Sequence, residues 1–185
     1  MKKSISTRQL VVMATMAALS VALVFLVHFP IFPQAPFLEY DPADIPILIV
    51  SFAYGPLAGL IVTVIASVVQ GLTVSAQSGV YGILMHFIST GTYALAAGLL
   101  YRAKKSRPGA AIALACGVLA SASVMAGANL IITPIFMGAP VEAVKAMLLP
   151  VIIPFNLAKS GINAALTALI YLPVKPALEK FLRAE

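Results

Sequence analysis

Six apolar runs, punctuated by prolines, glycines and short basic clusters, take up most of this 185-residue chain. A helix needs roughly 20 apolar residues to cross the hydrocarbon core of a bilayer. The runs leave no stretch of mixed composition long enough for a soluble domain. Apolar residues make up 61% of the chain and charged residues 10%, whereas soluble domains average about half and about a quarter. A nucleotide-binding domain would need roughly 100 to 200 further residues, so any energy from ATP must come from another chain. The sequence therefore predicts an all-α integral membrane protein in which residues 1–185 form a single transmembrane domain.

The net charge of +6 does not point to nucleic acid, because the bases sit in clusters beside apolar runs, as cytoplasmic membrane flanks do. The run from Leu10 to Val27 is longer than the apolar stretch of a secretory signal, and Pro36 follows the only small-residue cleavage candidate, Ala35. It reads as a retained first helix. Periodicity and breakers predict helices over about 7–28, 45–52, 57–74, 80–101, 109–132 and 153–172. Pro30, Pro33 and Pro36 make the first connection extended, and Asp44 is placed to cap the second helix. Thr133-Pro134 ends the fifth, leaving a loop with a short amphipathic turn around Glu142 and Lys145.

Charge supports this count. With the N-terminus inside, the inner elements hold Lys2, Lys3, Arg8, Arg102, Lys104, Lys105, Arg107, Lys175, Lys180 and Arg183, ten of the 12 bases. The outer loops hold Glu39, Asp41, Asp44 and Glu142 against Lys145 alone. Six helices with both termini cytoplasmic satisfy the positive-inside bias; one more or one fewer puts the last two basic clusters on opposite sides.

Lys159 stands out inside the last apolar run, flanked by Asn156 three residues before and Asn163 four residues after, all on one helical face. Such a face offers donors to a polar ligand; the alternative is an ammonium that snorkels to the outer interface. Asn129, alone among small apolar residues, is either a helix–helix hydrogen bond or a ligand contact. The acidic loop around Phe37, Tyr40, Asp41 and Asp44 reads either as a gate that stacks on a ligand or as a solvated loop. Ala14, Ala18 and Ala22 form a small-residue stripe for close helix approach, within the chain or against a partner. The spacing Gly55–Gly59 beside Pro56 reads first as a turn. Cys116 reads as an inert core thiol. His28 and His86 lack a carboxylate or cysteine at ligand spacing, so no metal site is expected. The motifs of P-loops, zinc proteases, dinucleotide folds and serine hydrolases are missing, which argues against an enzyme.

Three stretches resemble the S components, the substrate-binding membrane subunits, of energy-coupling factor (ECF) vitamin transporters, and among them the riboflavin-specific group. They are Phe37–Pro46 leading into Phe52–Gly59, the stripe Ala14/Ala18/Ala22, and Pro154–Lys159. The resemblance implies a six-helix S-component bundle in a prokaryotic cell membrane, with a vitamin site near the outer face roofed by the first loop. It implies flavin contacts from Asn129, Asn156 and Lys159, with Asn163, Phe37, Tyr40 and Asp44 as further candidates, and riboflavin as transported ligand without any bound cofactor. The alanine stripe would dock on a transmembrane scaffold subunit (EcfT) coupled to two ATP-binding cassette ATPases. The chain departs from the riboflavin group on the third helix, where Val62–Gln70 replaces the usual Glu and Lys-Asn pair. Because one fold serves many vitamins, folate, pantothenate, thiamine or a queuosine precursor remain alternatives, as does a self-sufficient secondary carrier.

Overall fold

The computed structural model describes residues 6–183. Helix α1 (Thr7–Leu26) starts at a capping box: the Ser6 hydroxyl accepts from the Gln9 amide, and the Gln9 side chain accepts from the Ser6 amide. It buries Met13, Ala17, Ser20 and Val24, a stripe of period three to four. Ala14, Ala18 and Ala22 lie on its exposed side.

The proline-rich connection is not merely extended. Phe29–Pro30 (β1) pairs antiparallel with Glu39–Tyr40 (β2), so a two-residue ladder interrupts the expected all-helical chain. It pins the loop across the mouth of the bundle. Helix α2 (Asp44–Tyr54) follows. Asp44 does not cap it: Ala43 holds the cap position, and the Asp44 carboxylate instead reaches other helices.

Gly55, at φ 100°, turns the chain sharply into α3 (Pro56–Leu72), whose first residue is a proline. The two helices then lie so close that a Cβ on Gly59 would fall 2.7 Å from that of Ser51. A short 3₁₀ turn, Ala76–Ser78, leads to α4 (Gly79–Ala103). Helix α5 (Arg107–Met137) begins at Ser106, whose hydroxyl accepts from the Gly109 amide. It runs through Thr133-Pro134, where the sequence predicts a stop. A proline forfeits one backbone hydrogen bond, and neighbouring helices make that tolerable in a membrane bundle; the helix closes at Gly138, in the left-handed region.

The expected outer loop contains α6 (Val141–Met147), and a π turn, Leu148–Ile152, joins it without a break to α7 (Ile153–Arg183). The described residues thus form seven helices, not six. Four stretches are long and apolar enough to cross a membrane: Thr7–Leu26, Ala76–Ala103, Arg107–Met137 and Val141–Tyr171. Helices α2 and α3 are shorter apolar helices. Cys116 is exposed on α5, not a core thiol, because that helix points its Gly117 side inward against Tyr93.

Two regions of packing result. At one end Phe52, Tyr101 and Tyr171 stack and meet edge-on, with centroids 4.3 to 5.7 Å apart. Around them glycines let backbones touch: a Cβ on Gly98 would lie 2.2 Å from Ser51 Oγ and 3.1 Å from the Pro56 Cα. At the other end, where α1, α3 and α5 finish and α4 and α7 begin, the helices part around a cavity.

Candidate functional site

The cavity measures about 140 Å³ and is lined from α1, the β1–β2 loop, α3, α4, α5 and α7. Its α5–α7 side carries Asn129, Asn156 and Lys159; Phe37, Leu38, Glu39 and Asp41 of the loop close over it. Phe37 meets Phe136 edge-on, and Phe136 in turn meets Tyr81, so three rings in contact line one part of the cavity. The mix of apolar walls and a few convergent polar groups is that of a small-molecule site.

Lys159 is not a free ammonium. Its Nζ donates to Asp41 Oδ2 at 2.6 Å and to the Glu39 carbonyl at 3.3 Å, tying the loop to α7. An ammonium has three donors, so one remains for the cavity. Burial alone would raise the Asp41 carboxyl, but it is outweighed. The Lys159 ammonium, through its charge and its hydrogen bond, and the hydrogen bond from the Ala43 amide hold Asp41 below the usual carboxylate range.

Asn129 donates one N–H to the Met125 carbonyl at 2.8 Å and accepts from the Thr133 hydroxyl at 2.8 Å, which fixes which face of the amide meets the cavity. Asn156 is held in the same way through the Ile152 carbonyl, at 2.8 Å. Each keeps a second N–H. These two amides and the ammonium are the polar groups that the structure brings together on this wall.

Tyr40, Asp44 and Asn163 do not line the cavity. They form a buried lock behind it. Asn163 Nδ2 donates to the Asp41 carbonyl at 3.0 Å and to Asp44 Oδ2 at 2.9 Å, while its Oδ1 accepts from the Tyr40 hydroxyl at 3.1 Å. All three of its usual partner positions are filled from the loop and α2. Burial, then the negative charges of Asp41 and Asp44, push the Tyr40 phenol up, so it stays a donor. Asp44 Oδ1 accepts from Thr90 at 2.6 Å, extending the lock to α4.

Several cavity residues were missed by sequence reasoning. Asp41 belongs to the loop read from sequence as a gate or a solvated loop, but its pairing with Lys159 was not foreseen, and His86 was considered only as a poor metal ligand; Ser67 and Gln70 sit on the segment that departs from the riboflavin group. His86 contacts Ser67 Oγ through Nδ1 at 2.7 Å. Ser67 and Gln70 share a face three residues apart, a weak signal that becomes informative only once α3 is known to border the cavity. Among the described residues there is no cluster of metal-ligating side chains.

With this geometry in view, the family profile described as "ECF transporter, substrate-specific component" matches residues 8–171. The chain belongs to this family. A riboflavin transporter of Bacillus subtilis (strain 168), FmnP, is 31% identical over 182 residues, covering 94% of this chain and 95% of that protein. The riboflavin transporter RibU of Staphylococcus aureus (strain TCH60) is 24% identical and covers 89% of this chain and 88% of its own length. A solved structure described as "Structure and mechanism of the S component of a bacterial ECF transporter" matches with a TM-score of 0.76. It is 24% identical and covers 95% of this chain and 98% of that one; at that identity the match speaks for the fold. The protein is accordingly an S component, a multi-pass protein of the prokaryotic cell membrane that serves as the substrate-binding subunit of an ECF transporter.

Proposed function

We propose that this S component captures riboflavin, or a closely related flavin, from outside the cell and hands it to an ATP-driven module. The observation that carries the reading is the loop-roofed cavity with two oriented amides and one ammonium converging on a single wall. A flat ring system lies against Phe37 and the apolar walls, and its carbonyls and ring nitrogens take the remaining N–H groups of Asn129, Asn156 and Lys159. The 31% identity to a riboflavin transporter supports the choice of ligand. Tyr40, Asp44 and Asn163 serve the site indirectly, by fixing the loop. Lys159 has two tasks: it latches the loop through Asp41 and offers its third donor to the ligand.

In this reading residues 1–185 form one transmembrane substrate-binding domain with both termini cytoplasmic and the cavity outward. The partners are a transmembrane scaffold subunit and two ATPases. The exposed stripe Ala14, Ala18 and Ala22 is the docking face on α1, since the same helix uses a different stripe for its own core. Ala18→Leu is therefore expected to leave flavin binding intact and abolish uptake; unchanged uptake would remove the stripe from the account. The ligand itself is tested by the visible absorption spectrum of detergent-purified protein, with mass spectrometry of whatever heat releases. Flavin bands that are lost in Asn156→Ala support the reading. A colourless protein that also fails to quench added riboflavin assigns the subunit to another vitamin.

A further inference from the structure

The opposite, α3–α4 wall of the cavity is lined by Ser67 and Gln70 of α3 and by His86 and Ser89 of α4. Tracing the protons gives this wall a single character. Thr90 has one hydroxyl proton and places it on Asp44 Oδ1 at 2.6 Å. Its 3.5 Å contact with His86 Nε2 is then a hydrogen bond only with a neutral ring donating from Nε2, which is the tautomer assigned here. That leaves Nδ1 as an acceptor, so the 2.7 Å contact to Ser67 is the serine hydroxyl donating. Ser121 likewise gives its proton to the Ser89 carbonyl at 3.1 Å, so Ser89 is the donor in its 3.2 Å contact with Ser121.

Both serine protons are thus spent inside the protein, and both oxygens are left as acceptors. Gln70 adds a third. It is only 7% exposed, its Nε2 reaches Ser75 Oγ at 3.5 Å, and its Oε1 has no hydrogen-bond partner among the described residues. A buried acceptor without a donor costs desolvation energy that a ligand O–H recovers. No lysine or arginine lines this side, so the wall suits a neutral donor and not an anion.

We infer that the α3–α4 wall is a second ligand subsite that takes the hydroxyl groups of an uncharged polyol chain, with Gln70, Ser67 and Ser89 as acceptors, while the ring system rests on the α5–α7 wall. The inference rests on the flavin reading and adds the substituent that the site recognises. It explains why a helix without charges borders the cavity: acceptors that select O–H donors need only neutral oxygens.

The test is a fluorescence-quenching titration of full-length, detergent-purified protein with riboflavin, which carries a ribityl chain, and with lumiflavin, which carries a methyl group in its place. Gln70→Met and Ser67→Ala are each expected to weaken riboflavin about tenfold, the loss of one hydrogen bond to a buried group, and lumiflavin less than about twofold. Equal losses for both ligands, or no loss for either, in variants that keep the wild-type melting temperature, overturn the inference. If Gln70→Met does not fold, Ser67→Ala decides by the same ratio. Wild-type protein that binds neither compound overturns the flavin reading and this inference together. Wild-type protein that binds both, with unchanged selectivity in the variants, overturns this inference alone.

Discussion

The two ends of the bundle are held together by different physics. At the cavity end Lys159, Asp41, Asn163, Asp44, Tyr40 and Thr90 form a buried polar network that crosses from the loop to α2, α4 and α7. At the far end Phe52, Tyr101 and Tyr171 stack, and glycines let α2, α3 and α4 touch backbone to backbone. Aromatic and glycine packing loses energy gradually as parts are trimmed. A polar network in a low dielectric is costly when half-satisfied. The cavity end is thus the end that a ligand, by adding or withdrawing one hydrogen bond, has the most leverage over.

The largest expected effect breaks the polar end. Lys159→Met leaves the Asp41 carboxylate buried without its partner, and removal of one member of such a pair costs about 3–5 kcal/mol. Thermal unfolding in detergent should show a large drop in melting temperature together with loss of flavin binding. The double variant Asp41→Asn with Lys159→Met should recover part of the stability but not the binding, because the stranded charge is gone while the donor is still missing. Equal melting temperatures for single and double variants would mean that the pair is not coupled.

Next comes the packed end. Gly98→Leu forces side-chain atoms onto Ser51 and the Pro56 backbone, for about 1–3 kcal/mol. It should lower the melting temperature while changing flavin affinity by less than about threefold, since Gly98 lies away from the cavity. A variant that keeps its stability but loses binding would contradict the division into two ends.

How much of this could be read from the sequence follows the same division. Breakers and apolar runs located α1 to α4 and the starts of α5 and α7 to within a few residues, because proline, glycine and cap residues act locally, but α5 and α7 run on past their expected ends at 132 and 172, through Pro134 and through Pro173 and Pro176, to Met137 and Arg183. Asn156 and Lys159 were legible as a polar face, since their spacing is helical. The lock was not. Asn163 meets Asp41 and Asp44 across more than a hundred residues of chain, and no local pattern tells a residue that serves a ligand from one that serves a loop. Pro134 looked like a stop because the bundle that tolerates it is tertiary. Cys116 looked buried because lipid-facing and core residues share one composition in a membrane protein. Gln70 was passed over as the absence of charges expected from relatives, whereas the structure gives its neutral oxygen a place on the cavity wall.

The pH dependence sharpens the comparison further. Asp41 has its folded pKa below the ordinary 3.8, so its contribution is fully present above that value and fades only as pH falls through the lower folded value. From about pH 7 down to about pH 5 the latch should therefore contribute no pH dependence to riboflavin affinity, with loss confined to more acid solution. Titrations in that window that weaken steadily would mean that a group other than Asp41, such as the His86 imidazole on the cavity wall, controls binding. The smallest effect belongs to Tyr171→Phe, which removes a 3.4 Å hydroxyl contact to Tyr101, whose ring the Lys175 ammonium also approaches at 5.7 Å from its centroid. Its cost should be about 1 kcal/mol, with flavin binding unchanged; a loss of flavin binding at an unchanged melting temperature would contradict the division into two ends.

The central claim is that the α5–α7 wall of the cavity holds the ligand. Riboflavin fluorescence-quenching titrations of purified wild type and Asn156→Leu test it most directly, because Asn156 lines the cavity and takes no part in the lock. The account requires saturable quenching by the wild type and affinity at least about tenfold weaker in the variant at matched melting temperature. Equal affinity in the two proteins would contradict it.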